Sequence, residues 1–169
     1  MKFLVKLAGD GAALPAMASR TSILLAGLGG FLAIATVAAF TDYTASALLL
    51  GSFGASCVLV FGYPDVPFSQ PRNVVAGHFI SSLTGLVSLA VFGAHWWAVA
   101  LAVSLAIVLM MLTRTVHPPA GSNPVIIFLT QPAWGFLLFP TLIGAVVLVV
   151  VALIYNNATR TAKWPKYWF

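Results

Sequence analysis

Acidic and basic residues are missing from four long stretches of this chain: Thr21 to Thr41, Tyr43 to Pro64, Asn73 to Thr113 and Thr115 to Thr159. Charge keeps a folded surface in water, and a soluble domain carries about 25% charged residues. Here the share is 7%, against 61% hydrophobic residues and a mean hydropathy of +1.04. A chain so composed cannot cover its own surface in water. Its solvent is lipid, and the bilayer is its first partner.

A helix needs about 20 apolar residues to cross a hydrocarbon layer of roughly 30 Å. The first two stretches hold one crossing each, and the longer last two have room for two each. Both long stretches offer a turn near their middle, at Gly93-Ala94-His95-Trp96-Trp97 and at Thr130-Gln131-Pro132-Ala133-Trp134. Tryptophan there suits the interfacial aromatic belt. The sequence predicts an all-α membrane protein of about six membrane segments, two of them broken or half-helical. Four to five full spans is the alternative.

Basic residues test the count. With the N-terminus in the cytoplasm and six crossings, Lys2, Lys6, Arg20, Arg72, Arg114, Arg160, Lys163 and Lys166 all fall on the cytoplasmic side. Cytoplasmic loops are enriched in Lys and Arg, so this is the expected bias. The net charge of +5 is then topological and borders anionic lipid, which removes nucleic acid as a partner. No short apolar run with a cleavage site precedes the first span, and no Arg/Ser-rich transit segment is seen. The expected location is the inner (plasma) membrane, multi-pass, with both termini cytoplasmic. The lone Cys57 excludes an intramolecular disulfide.

The whole chain, 1–169, reads as one transmembrane domain. Residues 2–19, where Phe3, Leu4, Val5 and Leu7 interleave with Lys2 and Lys6, read as an interfacial or loosely ordered leading segment. The tail from Thr159, with Trp164, Tyr167 and Trp168 among basic residues, reads as an interfacial anchor. Between them lies a weak internal repeat at an offset of about 67 residues. Without gaps, Gly54-Ala55-Ser56-Cys57-Val58-Leu59-Val60-Phe61 lies over Gly121-Ser122-Asn123-Pro124-Val125-Ile126-Ile127-Phe128, and Gly77 over Gly144. Three crossings per unit (repeat 1 about 21–92, repeat 2 about 95–155) would make the two units inverted, a recurring transporter design.

The helix breaks fall at matching positions of the two units. Gly51-Ser52-Phe53-Gly54-Ala55-Ser56 interrupts the second crossing near the midplane. His117-Pro118-Pro119-Ala120-Gly121-Ser122 precedes an apolar run too short to span. Consecutive prolines suit only a helix's first turn, so part of this crossing must be extended. Polar backbone at membrane depth is tolerated only against protein or a water-filled cavity. Half-helices starting near the midplane would aim N-termini, each with about half a positive charge, at a common point. Such ends bind anions.

The expected binding set is therefore Ser52, Gly54, Ala55, Ser56, His78, His117, Pro118, Pro119, Gly121, Ser122 and Asn123, with Arg72 and Arg114 at a vestibule. The serines and Asn123 supply neutral donors or helix caps. His117 beside the Pro-Pro break is an intramembrane ionisable group, which is a functional candidate by default; His95 beside Trp96-Trp97 reads as interfacial. No carboxylate lies in any spanning stretch to hold a cation or repel an anion. Gly54 and Gly77 taken alone read as packing residues rather than as site residues. No nucleophile–base–acid set, phosphate loop or metal spacing is present, so no catalytic residue, cofactor or metal is expected. The residues point to a small transporter or channel for a compact monovalent anion. The alternatives are a carrier of another small solute, or a non-transporting subunit of a larger membrane complex. A 17.8 kDa chain has little room to enclose a pore, so a homo-oligomer is expected.

At these same residues the chain resembles the HPP family of membrane proteins. The likeness rests on Gly51-Ser52-Phe53-Gly54-Ala55-Ser56, Gln70-Pro71-Arg72-Asn73, Gly77-His78 and His117-Pro118-Pro119-Ala120-Gly121, and runs from the first crossing to the last. Members of plastids and cyanobacteria are associated with nitrite transport, so the resemblance implies nitrite as the anion. The family is usually described with about four spans, fewer than predicted here, and the two broken segments account for that difference.

Overall fold

A computed structural model describes Leu7, residues 10–44 and residues 48–168. Lys2, Phe3, Leu4, Val5 and Lys6 of the expected leading segment lie outside those residues. Residues 10–19 are exposed and carry no helix. From there the described chain is all helix and turn: α1 (Arg20–Thr44), α2 (Gly51–Cys57), α3 (Pro71–Phe92), α4 (Trp96–Leu112), α5 (Asn123–Thr130) and α6 (Ile143–Thr159). A wider turn, Val58–Gly62, continues α2, and Trp134–Leu137 and Leu138–Leu142 lead into α6. Three stretches are long and apolar enough to cross a membrane, Arg20–Tyr43, Pro71–Phe92 and Trp134–Thr159, and Gly51–Gly62 and Trp96–Leu112 are shorter apolar helices. The mid-stretch turns fall where expected. Gly93 closes α3 with φ 72°, and Gln131 ends α5 in the left-handed region at φ 45°. Asp42 lies within the last turn of α1, which runs through it to Thr44.

In lipid, helices gain little by leaving an apolar solvent, so close packing through small residues must hold them together. On α4 the buried positions are Ala98, Ala102, Ala106 and Met110, one per turn, and the rest of that helix is largely exposed. This alanine edge packs against α3. α1 pairs with α6, and α2 lies along α1. Two glycines mark close approaches to the backbone of another segment. A Cβ on Gly77 would stand 2.7 Å from His117 Cβ and 2.9 Å from the Thr115 carbonyl oxygen. One on Gly144 would stand 2.5 Å from the Phe53 ring and 2.7 Å from the Leu48 carbonyl oxygen. The repeat offset that carries Gly77 onto Gly144 also carries Leu48 onto Thr115. Both partners of one contact thus map onto the partners of the other, exchanged between units.

Hydrogen bonds and ion pairs gather Arg72, Arg160 and Lys166 at one end of the bundle. Arg72 donates to the Thr113 carbonyl at 3.0 Å, and Asp65 pairs with Arg160 and, at 3.3 Å, with Lys166. The start of α1 joins them, since Tyr155 near the end of α6 donates to the Leu25 carbonyl. Of the tail aromatics, Trp164 departs from the expected interfacial anchor, while Tyr167 and Trp168 are exposed. Trp164 is only 2% exposed, its indole N–H donates to the Pro64 carbonyl at 3.1 Å, and its backbone N–H donates to Asn157 Oδ1. The Lys166 N–H donates to Gln70 Oε1, whose amide nitrogen holds the Pro64 and Val66 carbonyls. A plug between the tail and the 63–70 connection satisfies backbone groups that a membrane surface would leave to water. Trp164→Ala should therefore cost about 3–5 kcal/mol, the range for emptying a buried aromatic site. Asp65→Asn removes only exposed ion pairs and should cost about 1 kcal/mol or less. Thermal midpoints of the purified protein in detergent check both, and equal midpoints would contradict the plug.

Candidate functional site

The two short helices begin inside the bundle. Leu50, just before α2, is extended at φ −116°, ψ 141°. His117 is extended at φ −134°, ψ 96°, and a tight 3-10 turn, Pro118–Ser122, carries the chain from it into α5. The prolines supply φ for that turn and need no N–H partner. No side chain caps the first turn of α2 or α5. Counting 1.5 Å per residue along α3 puts His78 about 10 Å in from the basic end, and Ser82 at about half depth. Asn123, the first residue of α5, donates from Nδ2 to Ser82 Oγ at 2.9 Å, so α5 starts near the middle. α2 runs from there back to the basic end, and α5 runs the other way.

Between these starts lies a buried polar cluster. His117 Nδ1 lies 2.7 Å from the Phe68 carbonyl oxygen and its Nε2 lies 2.8 Å from Ser56 Oγ. Ser56 Oγ is also 3.0 Å from the Ser52 carbonyl, one turn earlier. The His117 ring stands 4.9 Å from that of His78, centroid to centroid, and His78 meets the edge of Phe53 at 5.1 Å. His78 Nδ1 lies 2.9 Å from the Val74 carbonyl. Ser82 Oγ continues the chain to Thr141 Oγ1 at 3.0 Å, and Ser81 donates to the Ala120 carbonyl at 2.6 Å. Ser56, His78, Ser82, His117, Asn123 and Thr141 are all fully buried.

Three atoms of this cluster have no hydrogen-bond partner: Ser52 Oγ, His78 Nε2 and Asn123 Oδ1. An unsatisfied buried polar atom costs about 1–3 kcal/mol, and native proteins hold few of them. Three in one cluster, two of them at helix starts, mark a place kept polar for a ligand or for water. The surrounding charge is sparse. Asp65 is tied up at the basic end, and Asp42 is in the last turn of α1. No group of three metal-ligating side chains occurs among the described residues.

The structure thus brings together Ser52, Ser56, His78, His117 and Asn123 from the expected set, with Pro119 buried behind them. It does not bring the others. Gly54 and Ala55 lie on the exposed side of α2, and a Cβ on Gly54 would meet open space. Gly54 instead lines an outer groove of about 600 Å³ with Gly27, Gly30 and Cys57. Pro118 and Ser122 are exposed, Gly121 is half-buried, and Ser122 Oγ turns back to the Pro119 carbonyl. Arg72 and Arg114 stand at the basic end, apart from the cluster, and Arg114 adopts φ 56°. Ser81, Ser82 and Thr141 were missed. The serines follow His78 at helical spacing, beside Gly77 and Gly85, so that stripe was readable; Thr141 sits in an irregular turn without a sequence signal.

The model of the family described as HPP, transmembrane region, matches residues 15–165. Two proteins of Dictyostelium discoideum, each named as a transmembrane protein, are similar. The first is 41% identical over 130 residues, covering 72% of this chain and 46% of that protein. The second is 43% identical over 129 residues, covering 72% and 42%. The chain therefore spans less than half the length of these curated relatives. No solved structure matches.

Proposed function

The chain belongs to the HPP transmembrane family, and we propose that it carries a small monovalent inorganic anion, nitrite first, across the inner membrane through the buried cluster between its two short helices. The carrying observation is the set of unpartnered atoms, Ser52 Oγ, His78 Nε2 and Asn123 Oδ1, which keep a buried cluster free of carboxylates open to a small polar ligand. Uncapped starts of α2 and α5 at half depth add positive potential there. Nitrite leads because the family resemblance implies it.

The reading extends to the architecture. Six membrane segments in two inverted units, about 21–92 and 95–155, are supported by the exchanged contacts Gly77–Thr115 and Leu48–Gly144. One basic end, with Arg72 and Arg114 near its surface, supports cytoplasmic termini and an anion vestibule. The function is transport without catalysis. Full burial of the cluster favours a carrier opening alternately to each side over a standing pore. Exposed small residues in the groove beside α1 and α2 suit a second copy of the chain.

The test is nitrite uptake into proteoliposomes of the purified chain, with chloride, nitrate and formate as competitors. Saturable uptake above that of protein-free vesicles is expected. A correctly folded and inserted protein that moves none of these anions would overturn the reading in favour of a neutral solute or a structural role.

A further inference from the structure

The protons of the buried cluster restrict the form in which its ligand arrives. His78 Nδ1 faces the Val74 carbonyl, which can only accept, so Nδ1 carries a proton. With one proton on the ring, Nε2 is a bare lone pair, and it is buried without a donor. Asn123 Nδ2 faces Ser82 Oγ and, at 3.5 Å, the His78 carbonyl, so its other atom, Oδ1, is also an unserved acceptor. The third unpartnered atom, Ser52 Oγ, can donate or accept.

His117 repeats the pattern. Its Nδ1 must donate to the Phe68 carbonyl, which leaves Nε2 to accept the Ser56 proton. That proton is also within reach of the Ser52 carbonyl and cannot serve both. A proton arriving on His117 Nε2 would release the Ser56 hydroxyl to the Ser52 carbonyl without moving a heavy atom.

A bare anion brings only lone pairs to these acceptors. The protonated weak acid HX brings the missing donor. Building on the transport reading above, we propose that the cluster takes up a small monovalent anion together with one proton, as the acid HX, with His78 Nε2 as the proton acceptor. In that step the O–H bond of the acid breaks, its electron pair stays on X, and an N–H bond forms at Nε2. The product is X⁻ beside the His78 imidazolium, and reversal toward the other side releases HX. No net charge enters the low-dielectric interior, where an unpaired ion is costly. Asn123 Oδ1 gives the acid's O–H a second acceptor, and His117 lies next in line.

Among the described residues, His117 is the one other group near His78 that can take the proton. α2 contributes Cys57 and the connection before α5 contributes His117, while α4 and α5 contain no titratable residue. Tyr155 of α6 is bonded to the Leu25 carbonyl on the α1 side, and Arg72, Arg114 and Asp65 are at the basic end. The chain should therefore accept conjugate bases of weak acids, such as nitrite and formate. It should refuse chloride and nitrate, whose acids keep no proton in water.

The experiment uses the full chain in proteoliposomes with a pH-sensitive dye inside, and a potassium–valinomycin potential of either sign. Passive entry of HX into protein-free vesicles is subtracted. Expected are nitrite uptake with internal acidification, indifference to the potential, and nitrate uptake at least tenfold slower. His78→Gln keeps hydrogen-bonding capacity but cannot titrate, and should reduce coupled uptake at least tenfold. Should that variant not fold, the wild-type comparison of nitrite with nitrate still decides. Equal uptake of both anions, driven by potential and without acidification, overturns the proposal and leaves anion transport standing. No protein-dependent uptake of any anion overturns both.

Discussion

Gly77→Ala and Gly144→Ala should each lower the thermal midpoint of the detergent-purified protein by several degrees, while Gly121→Ala should not. All three changes add one methyl group. In a helix, alanine is favoured over glycine by about 1 kcal/mol, so a gain would be the default. At Gly77, however, the methyl must displace His117 Cβ and the Thr115 carbonyl, neither of which is the free end of a flexible side chain. At Gly144 it must displace the Phe53 ring and the Leu48 carbonyl. Overpacking of this kind costs about 1–3 kcal/mol, and more where backbone must move. Gly121 has nothing within 4 Å and no positive φ, so it is the control. The two losses should also be similar in size, because each glycine presses on the same position of the opposite unit. Unchanged midpoints for both would mean that the helices do not approach this closely.

What could be read in the sequence follows from what each signal depends on. Membrane class and the turns near Gly93 and Gln131 depend on local composition and on Gly, Pro and Trp, and these stand where expected. The break at His117 was readable because consecutive prolines cannot be hidden in a helix, whereas Gly51-Ser52-Phe53-Gly54-Ala55-Ser56, expected to interrupt a helix, lies within α2, and the chain is extended just before it at Leu50. Side-chain direction was not readable. Ser52 and Ser56 face inward because they are one turn apart on the same side of α2, and Gly54 and Ala55 between them face out. A motif read as a block cannot separate the two faces; helical spacing could have done so. Trp164 misled because an aromatic residue among basic ones has the composition of a membrane anchor. Only the fold reveals that Pro64 and Asn157 wait for its N–H groups.

His117→Ala should reduce nitrite uptake at least tenfold, and His95→Ala should leave it within about twofold; each tenfold loss corresponds to about 1.4 kcal/mol at the barrier. His95 is exposed and stacks on Trp97 at 5.9 Å, away from the cluster. Truncating it removes an interfacial contact. His117 joins three parts of the molecule: the Phe68 carbonyl in the connection after α2, Ser56 on α2, and the ring of His78 on α3. Truncating it strands the Phe68 carbonyl, frees Ser56 to bond only the Ser52 carbonyl, and removes the second proton acceptor beside His78. Loss of flux could also come from unfolding, so Ser56→Ala and the double variant are needed. If the two side chains act as one unit, the double variant should lose little more than His117→Ala alone, a non-additivity expected only of coupled neighbours. Additive losses would mean separate structural damage. Unchanged uptake in folded His117→Ala would remove the cluster from the transport path, whatever its role in holding α2, α3 and α5 together.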